Sequence, residues 1–203
     1  MTNRREFLQI GIAASALPLA AQAARTSEPL GWLGSADAAS VPLYKAVYDS
    51  RFADSVAFAR RVEQRGVAAH AIDGDVTRFW YDDLYHRWRE GPVAIAGLTA
   101  QGPLFCLERL AWDQGMRVVF RAEHAPAADC VAHDVSAPLA MLDDARRAAA
   151  DAAWSERFAD LVTQCPRGRA ELGSVAARGP VAQIATVDAE PLYTWVIAPV
   201  SRG

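Results

Sequence analysis

The stretch that decides the fold is LYKAVYDSRFADSVAFARRVEQRGVAAHAI, residues 43–72. Leu43 to Tyr48 has the length and composition of a strand, and Asp49-Ser50 offers a helix cap. An apolar face at helical spacing follows, formed by Phe52, Val56, Ala59 and Val62. Gly66 is placed to end this helix, and Val67 to Ile72 is a second apolar run of strand length. We therefore predict a β-α-β unit with parallel strands, because parallel strands need such a crossover.

The alternation of strand and helix continues along the chain. Trp80 to Trp88 is aromatic-rich at helical spacing, and Val93 to Leu98 is a clear buried-strand pattern. A helix from Pro103 to Gly115 and a strand from Met116 to Phe120 come next. Four strand-like segments that alternate with three helices predict an open parallel sheet covered on both faces.

The last third of the chain has a different pattern. Ser136-Ala-Pro138 can open a long Ala-rich helix through about Val162. Val181 to Val187 and Leu192 to Ile197 are strand-like runs joined by a four-residue loop, which predicts an antiparallel hairpin. The expected fold class is α/β: a three-layer sandwich with a mostly parallel sheet of about four strands plus this C-terminal hairpin. We expect a single domain over residues 41–203.

Composition excludes several classes of protein. The 203 residues are 52% hydrophobic and 22% charged, with a net charge of −3, which is typical of a globular chain and argues against a dedicated nucleic-acid binder. The sequence contains no Gly-x-Ser-x-Gly elbow, His-Glu-x-x-His helix or Cys-x-x-Cys pair. The spacings of Cys106, Cys130 and Cys165 match no metal or redox motif, so we expect them to be small buried side chains; their disulfide pairing stays open.

The N-terminus has the pattern of an export signal. Arg4-Arg5-Glu6-Phe7-Leu8 precedes an apolar stretch, and Ala21-Gln22-Ala23 is a small-x-small cleavage site. The segment resembles a twin-arginine signal peptide, with the two arginines as its targeting residues. The apolar stretch is too short for a spanning helix, so we expect no stable membrane span in the mature form. We expect cleavage after about Ala23, followed by a linker over residues 24–40.

The resemblance to a twin-arginine signal implies a folded protein exported to the periplasm by the twin-arginine machinery. Such cargo often carries a cofactor, or travels with a partner that does; the sequence does not identify a cofactor here.

Polar residues follow two of the predicted strands and form a candidate ligand site. Asp73 and Asp75 come after the second strand, and the turn that contains Gly97, Thr99 and Gly102 joins a strand to a helix. Ligands of parallel sheets bind at the carboxyl ends of strands, where helix N-termini favour anions. The turns also have a purely structural interpretation, since Asp-Gly is a common turn and the second segment matches neither a P-loop nor a dinucleotide fingerprint.

One pair of residues is a weak candidate for catalysis. Cys106 falls in the first turn of the predicted helix, where a thiol can be nucleophilic, and His124 follows the next strand and could serve as its base. The alternative is that Cys106 packs in the core.

The densest aromatic cluster is a candidate partner surface. Arginines stand among its rings, and aromatic residues with arginine are enriched at interfaces. The same residues would also suit a helix that packs on the sheet. The cluster consists of Trp80, Tyr81, Tyr85 and Trp88.

Two functional hypotheses follow from the sequence. The first is a small accessory or non-catalytic subunit of a periplasmic redox enzyme. The alternative is a small enzyme or ligand-binding protein whose site lies at the carboxyl ends of the parallel strands.

Overall fold

The fold is taken from a computed structural model, which describes residues 41–168, 170–180 and 190–200. These residues belong to one compact unit, Asp37–Gly203. The predicted signal peptide and linker, and the predicted strand Val181 to Val187, lie outside the described residues.

Seven strands and six α-helical segments form the described part of the chain. The strands are β1 Leu43–Asp49, β2 Ala69–Ile72, β3 Ala94–Thr99, β4 Met116–Pro126, β5 Cys130–Pro138, β6 Leu172–Pro180 and β7 Leu192–Pro199. The helices are α1 Ala53–Gln64, α2 Thr77–Phe79, α3 Tyr85–Glu90, α4 Gln101–Asp113, α5 Leu142–Ala149 and α6 Trp154–Gln164. A π-helical turn, Trp80–Leu84, joins α2 to α3, and a 3₁₀ turn, Leu139–Met141, precedes α5.

The strands form one mixed sheet in the order β2-β1-β3-β7-β4-β5-β6. The predicted β-α-β unit is present: β1 pairs in parallel with β2 and also with β3. Every pairing beyond β3 is antiparallel. The α/β class is therefore confirmed, but the sheet is larger than about four strands and is not mostly parallel.

The position of β7 explains why the expected sheet was wrong. Its apolar run predicts a local hairpin, yet β7 pairs with β3 along one edge and with β4 along the other. It is buried along nearly its whole length, as a central strand should be. Short-range turn patterns do not encode this pairing with distant segments.

The predicted Ala-rich helix from Ser136 to Val162 is present only in part, as two helices, and its predicted start is wrong. Ser136 lies in β5, whose residues alternate between the core and the opposite surface. The chain becomes helical only later and is interrupted between α5 and α6 at residues 150–153. The sequence does not predict β6, because its two glycines and terminal proline have low strand propensity. The strand forms through antiparallel backbone pairing with β5.

Helices cover the two faces of the sheet unequally. We call the side that packs against α1, α5 and α6 the α1 face, and the side that packs against α2, α3 and α4 the α4 face. Alternation along each strand supplies both: Ala96 and Val196 face α1, while Ile95 and Ile197 face α4. Within the described ranges, no helix is long and apolar enough to cross a membrane.

Candidate functional site

The carboxyl ends of β1 and β2 lie side by side at one edge of the sheet. Asp49, the last residue of β1, is fully buried and accepts two bonds from the Arg51 guanidinium, Nε to Oδ1 at 2.9 Å and Nη2 to Oδ2 at 2.6 Å. Its backbone N–H donates to Ser55 Oγ at 2.8 Å, and that hydroxyl donates to the carbonyl of Leu98 in β3. These bonds fix the loop after β1, since a buried carboxylate requires partners of this kind.

A cleft of about 490 Å³ opens beside this loop, and we call it the β2 cleft. Its polar lining consists of Ser50, His70, Asp73, Asp75 and Arg78, and its apolar lining includes Ile72 and Phe79.

The charges of the β2 cleft are only partly compensated inside the protein. Asp75 accepts the backbone N–H of Thr77 at 2.8 Å, and hydrogen bonds from Thr77 lower the pKa of its carboxyl. Asp73 and Arg78 are exposed, and neither forms an ion pair with any part of the chain that the structure describes. The cleft therefore presents both a carboxylate and a guanidinium to a ligand.

A cluster of titratable side chains lies on the α4 face close to this cleft. Tyr44 Oη donates to Asp83 Oδ1 at 2.6 Å, and Lys45 Nζ forms an ion pair with Asp83 Oδ2. The register of β1 against β3 shifts between Leu43 and Lys45, so Tyr44 and Lys45 both reach the α4 face. Asp83 comes from the π-helical turn. Bulges and π turns are often found at functional sites, and here the two meet in one cluster.

The cluster sets the protonation of its members. The hydrogen bond to Asp83 raises the pKa of Tyr44, and the bond to the same carboxylate raises the pKa of Lys45. Burial favours a higher pKa for Asp83, but the bonds from Lys45 and Tyr44 outweigh it and lower the pKa. Burial, and then the charge of Lys45, lower the pKa of His70, so His70 is neutral at pH 7 while Lys45 is charged.

The structure separates the predicted ligand residues. Asp73 and Asp75 line the β2 cleft, and Gly102 is exposed at the start of α4. Gly97 is pressed against Trp195, and Thr99 is fully buried, where its Oγ1 accepts the Trp195 Nε1–H at 3.1 Å. We therefore retain only the two aspartates, because Gly97 and Thr99 are occupied by packing and Gly102 is not part of the cleft lining.

The predicted pairing of Cys106 with His124 is not formed. Cys106 is exposed on α4, which corrects the expectation that it packs in the core, and His124 is buried on the α1 face. The sheet lies between them, so the imidazole cannot take the thiol proton. The three cysteines are free, and burial raises the pKa of Cys165 to about 12.

His124 instead belongs to a buried pair of histidines. Its Nδ1 lies 2.7 Å from Nδ1 of His133 on β5, and its Nε2 lies 2.8 Å from Thr194 Oγ1. The rings of Trp154 and Phe158 pack against it, with centroids at 4.2 and 4.7 Å. His133 Nε2 is buried and has no hydrogen-bond partner among the described residues. This arrangement is a packed cross-strand pair without access to a substrate.

The aromatic cluster divides between core and surface. Trp88 is buried, and its Nε1–H donates to the Val93 carbonyl at 3.1 Å. Trp80 is half-buried and packs edge-on against Trp88 at 5.8 Å. Tyr81 and Tyr85 are 64% and 38% exposed, so only these two remain available to a partner.

Sequence reasoning missed the cluster around Asp83. Lys45 is the only lysine in the chain, which was a usable signal, but neither the register shift at Tyr44 nor the π turn has a sequence signature. Among the described residues, no group of three or more His, Cys, Asp or Glu side chains could hold a metal ion. Comparison with protein-family models, curated proteins and solved structures gives no match.

Proposed function

We propose that the protein binds a small zwitterionic molecule in the β2 cleft. The observation that carries the proposal is that Asp73 and Arg78, which have opposite charges and form no ion pair with a described residue, both line one cleft of about 490 Å³. Pockets of this size suit small molecules, and a few placed polar groups fix a ligand's orientation. A guanidinium binds a carboxylate or phosphate, and a carboxylate binds an ammonium group.

The surrounding residues support binding of this ligand class. The bonds that Arg51 donates to Asp49 hold the guanidinium against Gly74, so the loops after β1 and β2 are in contact before a ligand binds. Phe79 and Ile72 supply an apolar surface for the ligand's carbon atoms. Neutral His70, in ring contact with Phe79 at 4.5 Å, adds an acceptor or donor and is the residue we assign as a general base if the ligand is a substrate.

The test uses the twenty common amino acids and their decarboxylated amines as probes. We expect at least one amino acid to raise the thermal midpoint of the wild-type protein, because ligand that binds only the folded state stabilises it. Asp73→Asn and Arg78→Met should each weaken that binding by about tenfold or more, since each removes one charged contact. Calorimetric titration measures the affinities.

Asp82→Asn and Arg89→Met are the matched controls, because both residues are exposed and absent from the cleft lining. They should leave binding unchanged. The proposal fails if no probe shifts the wild type, or if the cleft variants bind as tightly as the controls.

A second candidate function is the accessory subunit of a periplasmic redox enzyme, exported through the twin-arginine signal at Arg4-Arg5. Its support is the set of exposed aromatic rings with nearby arginines: Arg89 lies over Tyr85 at 5.5 Å and Arg109 over Trp112 at 4.3 Å. Such side chains are enriched where proteins bind each other. Recovery of a redox enzyme with this chain from periplasmic extract would support it, and a chain that is retained in the cytoplasm would contradict it.

A further inference from the structure

Among the described residues, helices cover only part of the width of the α4 face of the sheet. The apolar cluster on this side takes its strand residues from β1, β2, β3, β7 and the beginning of β4. The surface beyond it, on β4, β5 and β6, we call the bare face. It is formed by Arg121, Glu123, Ala125, Ala132, Asp134, Ser136, Ser174, Ala176 and Arg178, none of which belongs to either apolar core.

Three alanines lie at the centre of the bare face. Ala125 on β4 stands directly opposite Ala132 on β5, and Ala176 on β6 stands opposite Asp134. A shallow depression of about 590 Å³ lies over these positions. Two sheets pack at about 10 Å from face to face, and small side chains permit that approach.

The charged side chains of the bare face form no ion pair with one another or with any other described residue of the chain. Glu123 and Asp134 are direct cross-strand partners, and like charges in that position are destabilising. Arg178 stands opposite Ala132, one strand further on, and forms no ion pair with a residue that the structure describes. Arg121 lies over the Tyr193 ring at 5.0 Å, and Tyr193 also hydrogen-bonds Glu123. This leaves Asp134 and Arg178 as the charges without a partner of opposite sign among the described residues. The face thus keeps a repulsive pair and an arginine that does not relieve it.

We propose that two copies of this chain pack their bare faces together about a two-fold axis. In this dimer, Arg178 of each copy lies between Glu123 and Asp134 of the other. Because the two copies are related by a two-fold axis, each such contact occurs twice in the interface. The alanines of the two bare faces exclude water from these ion pairs, and their electrostatic attraction is therefore stronger than in open solvent.

A second copy fits this face better than a partner of one charge sign. The face carries two arginines and two carboxylates, so it is complementary to itself, whereas a purely basic or purely acidic partner would leave two like charges opposed. The proposal does not depend on a ligand in the β2 cleft, which lies at the other end of the sheet beside β2.

Analytical ultracentrifugation of the purified protein over a range of concentrations tests the dimer. We expect the wild type to dimerise. Asp134→Arg and Arg178→Asp should each raise the dimer dissociation constant by at least about tenfold, because each places like charges together at two symmetric positions. The double variant, Asp134→Arg with Arg178→Asp, should bind more tightly than either single variant but less tightly than the wild type, since it restores the pairing between positions 134 and 178 with the signs exchanged while Glu123 keeps its negative charge.

Two further variants keep the test decisive. Ala176→Arg should fold, because position 176 is exposed, and should prevent close approach of the two sheets. Arg146→Asp, at an exposed position of α5 away from the bare face, should leave dimerisation unchanged. Far-UV circular dichroism confirms that each variant is folded. A wild type that remains monomeric at every concentration overturns the proposal, as does a dimer that persists in both Arg178→Asp and Ala176→Arg.

Discussion

Gly97 and Gly102, on either side of the turn between β3 and α4, meet opposite surroundings. A Cβ on Gly97 would stand 2.4 Å from Cζ2 of Trp195 and 2.5 Å from the Val47 carbonyl oxygen. A Cβ on Gly102 would meet nothing within 4 Å. The first glycine is required because an indole crosses it, and the second is free to change. The sequence predicts both glycines as ligand residues, because nothing in the residues near them indicates that Trp195 packs on Gly97.

We therefore expect Gly97→Ala to destabilise the protein and Gly102→Ala to stabilise it slightly. The first change overpacks a rigid core and should lower the free energy of unfolding by about 3 kcal/mol. The second removes a glycine from a helix and should raise the same free energy by about 0.5 kcal/mol. Urea denaturation measures both. Equal losses in the two variants would show that Trp195 moves aside.

At the scale of elements, the π turn is held to the sheet by polar contacts. Asp83 accepts bonds from Tyr44 and Lys45, and its side chain is only 18% exposed. The apolar side of the same segment is anchored by Leu84 and Phe79, which are buried. Helical spacing predicts this helix but not the contacts of its π turn, because Asp83 bonds to residues 38 and 39 positions away in the sequence.

Asp83→Asn should lower the free energy of unfolding by about 1 kcal/mol, since it replaces a partly buried ion pair with a neutral contact. Asp82→Asn is the matched control, because Asp82 is the adjacent exposed aspartate and should change stability little. Urea denaturation at pH 7 makes the comparison. Matching curves for the two variants would mean that the Lys45 contact contributes nothing to stability.

At the scale of the whole molecule, the buried histidine pair joins several elements of the antiparallel half. His124 on β4 touches His133 on β5, Thr194 on β7 and the α6 rings. Burial lowers the pKa of His133 to about 4 and, with the charge of His133, lowers the pKa of His124 well below its usual value. The folded protein therefore holds both rings neutral, while the unfolded chain binds protons as soon as the pH falls through about 6.5.

The free energy of unfolding should consequently fall as the pH drops from 6.5 towards 4. His133 alone should account for about 3 kcal/mol of this loss by pH 4, because the unfolded state binds a proton that the folded state rejects. His133→Leu should remove about half of this slope, because His124 still stays neutral in the folded protein. His86→Leu, at an exposed position, is the control and should not change the profile. Parallel profiles for the wild type and His133→Leu would contradict the assignment.

The sequence by itself determined the α/β class, the β-α-β unit at residues 43–72 and the position of Asp73 and Asp75 after β2. These features follow from local periodicity and turn chemistry, which neighbouring residues encode. Only the tertiary structure decided that β7 lies between β3 and β4, that residues 130–138 form a strand, and that Lys45, Tyr44 and Asp83 meet. Those outcomes depend on pairing between distant segments, where burial of a whole strand outweighs the local preference of its residues.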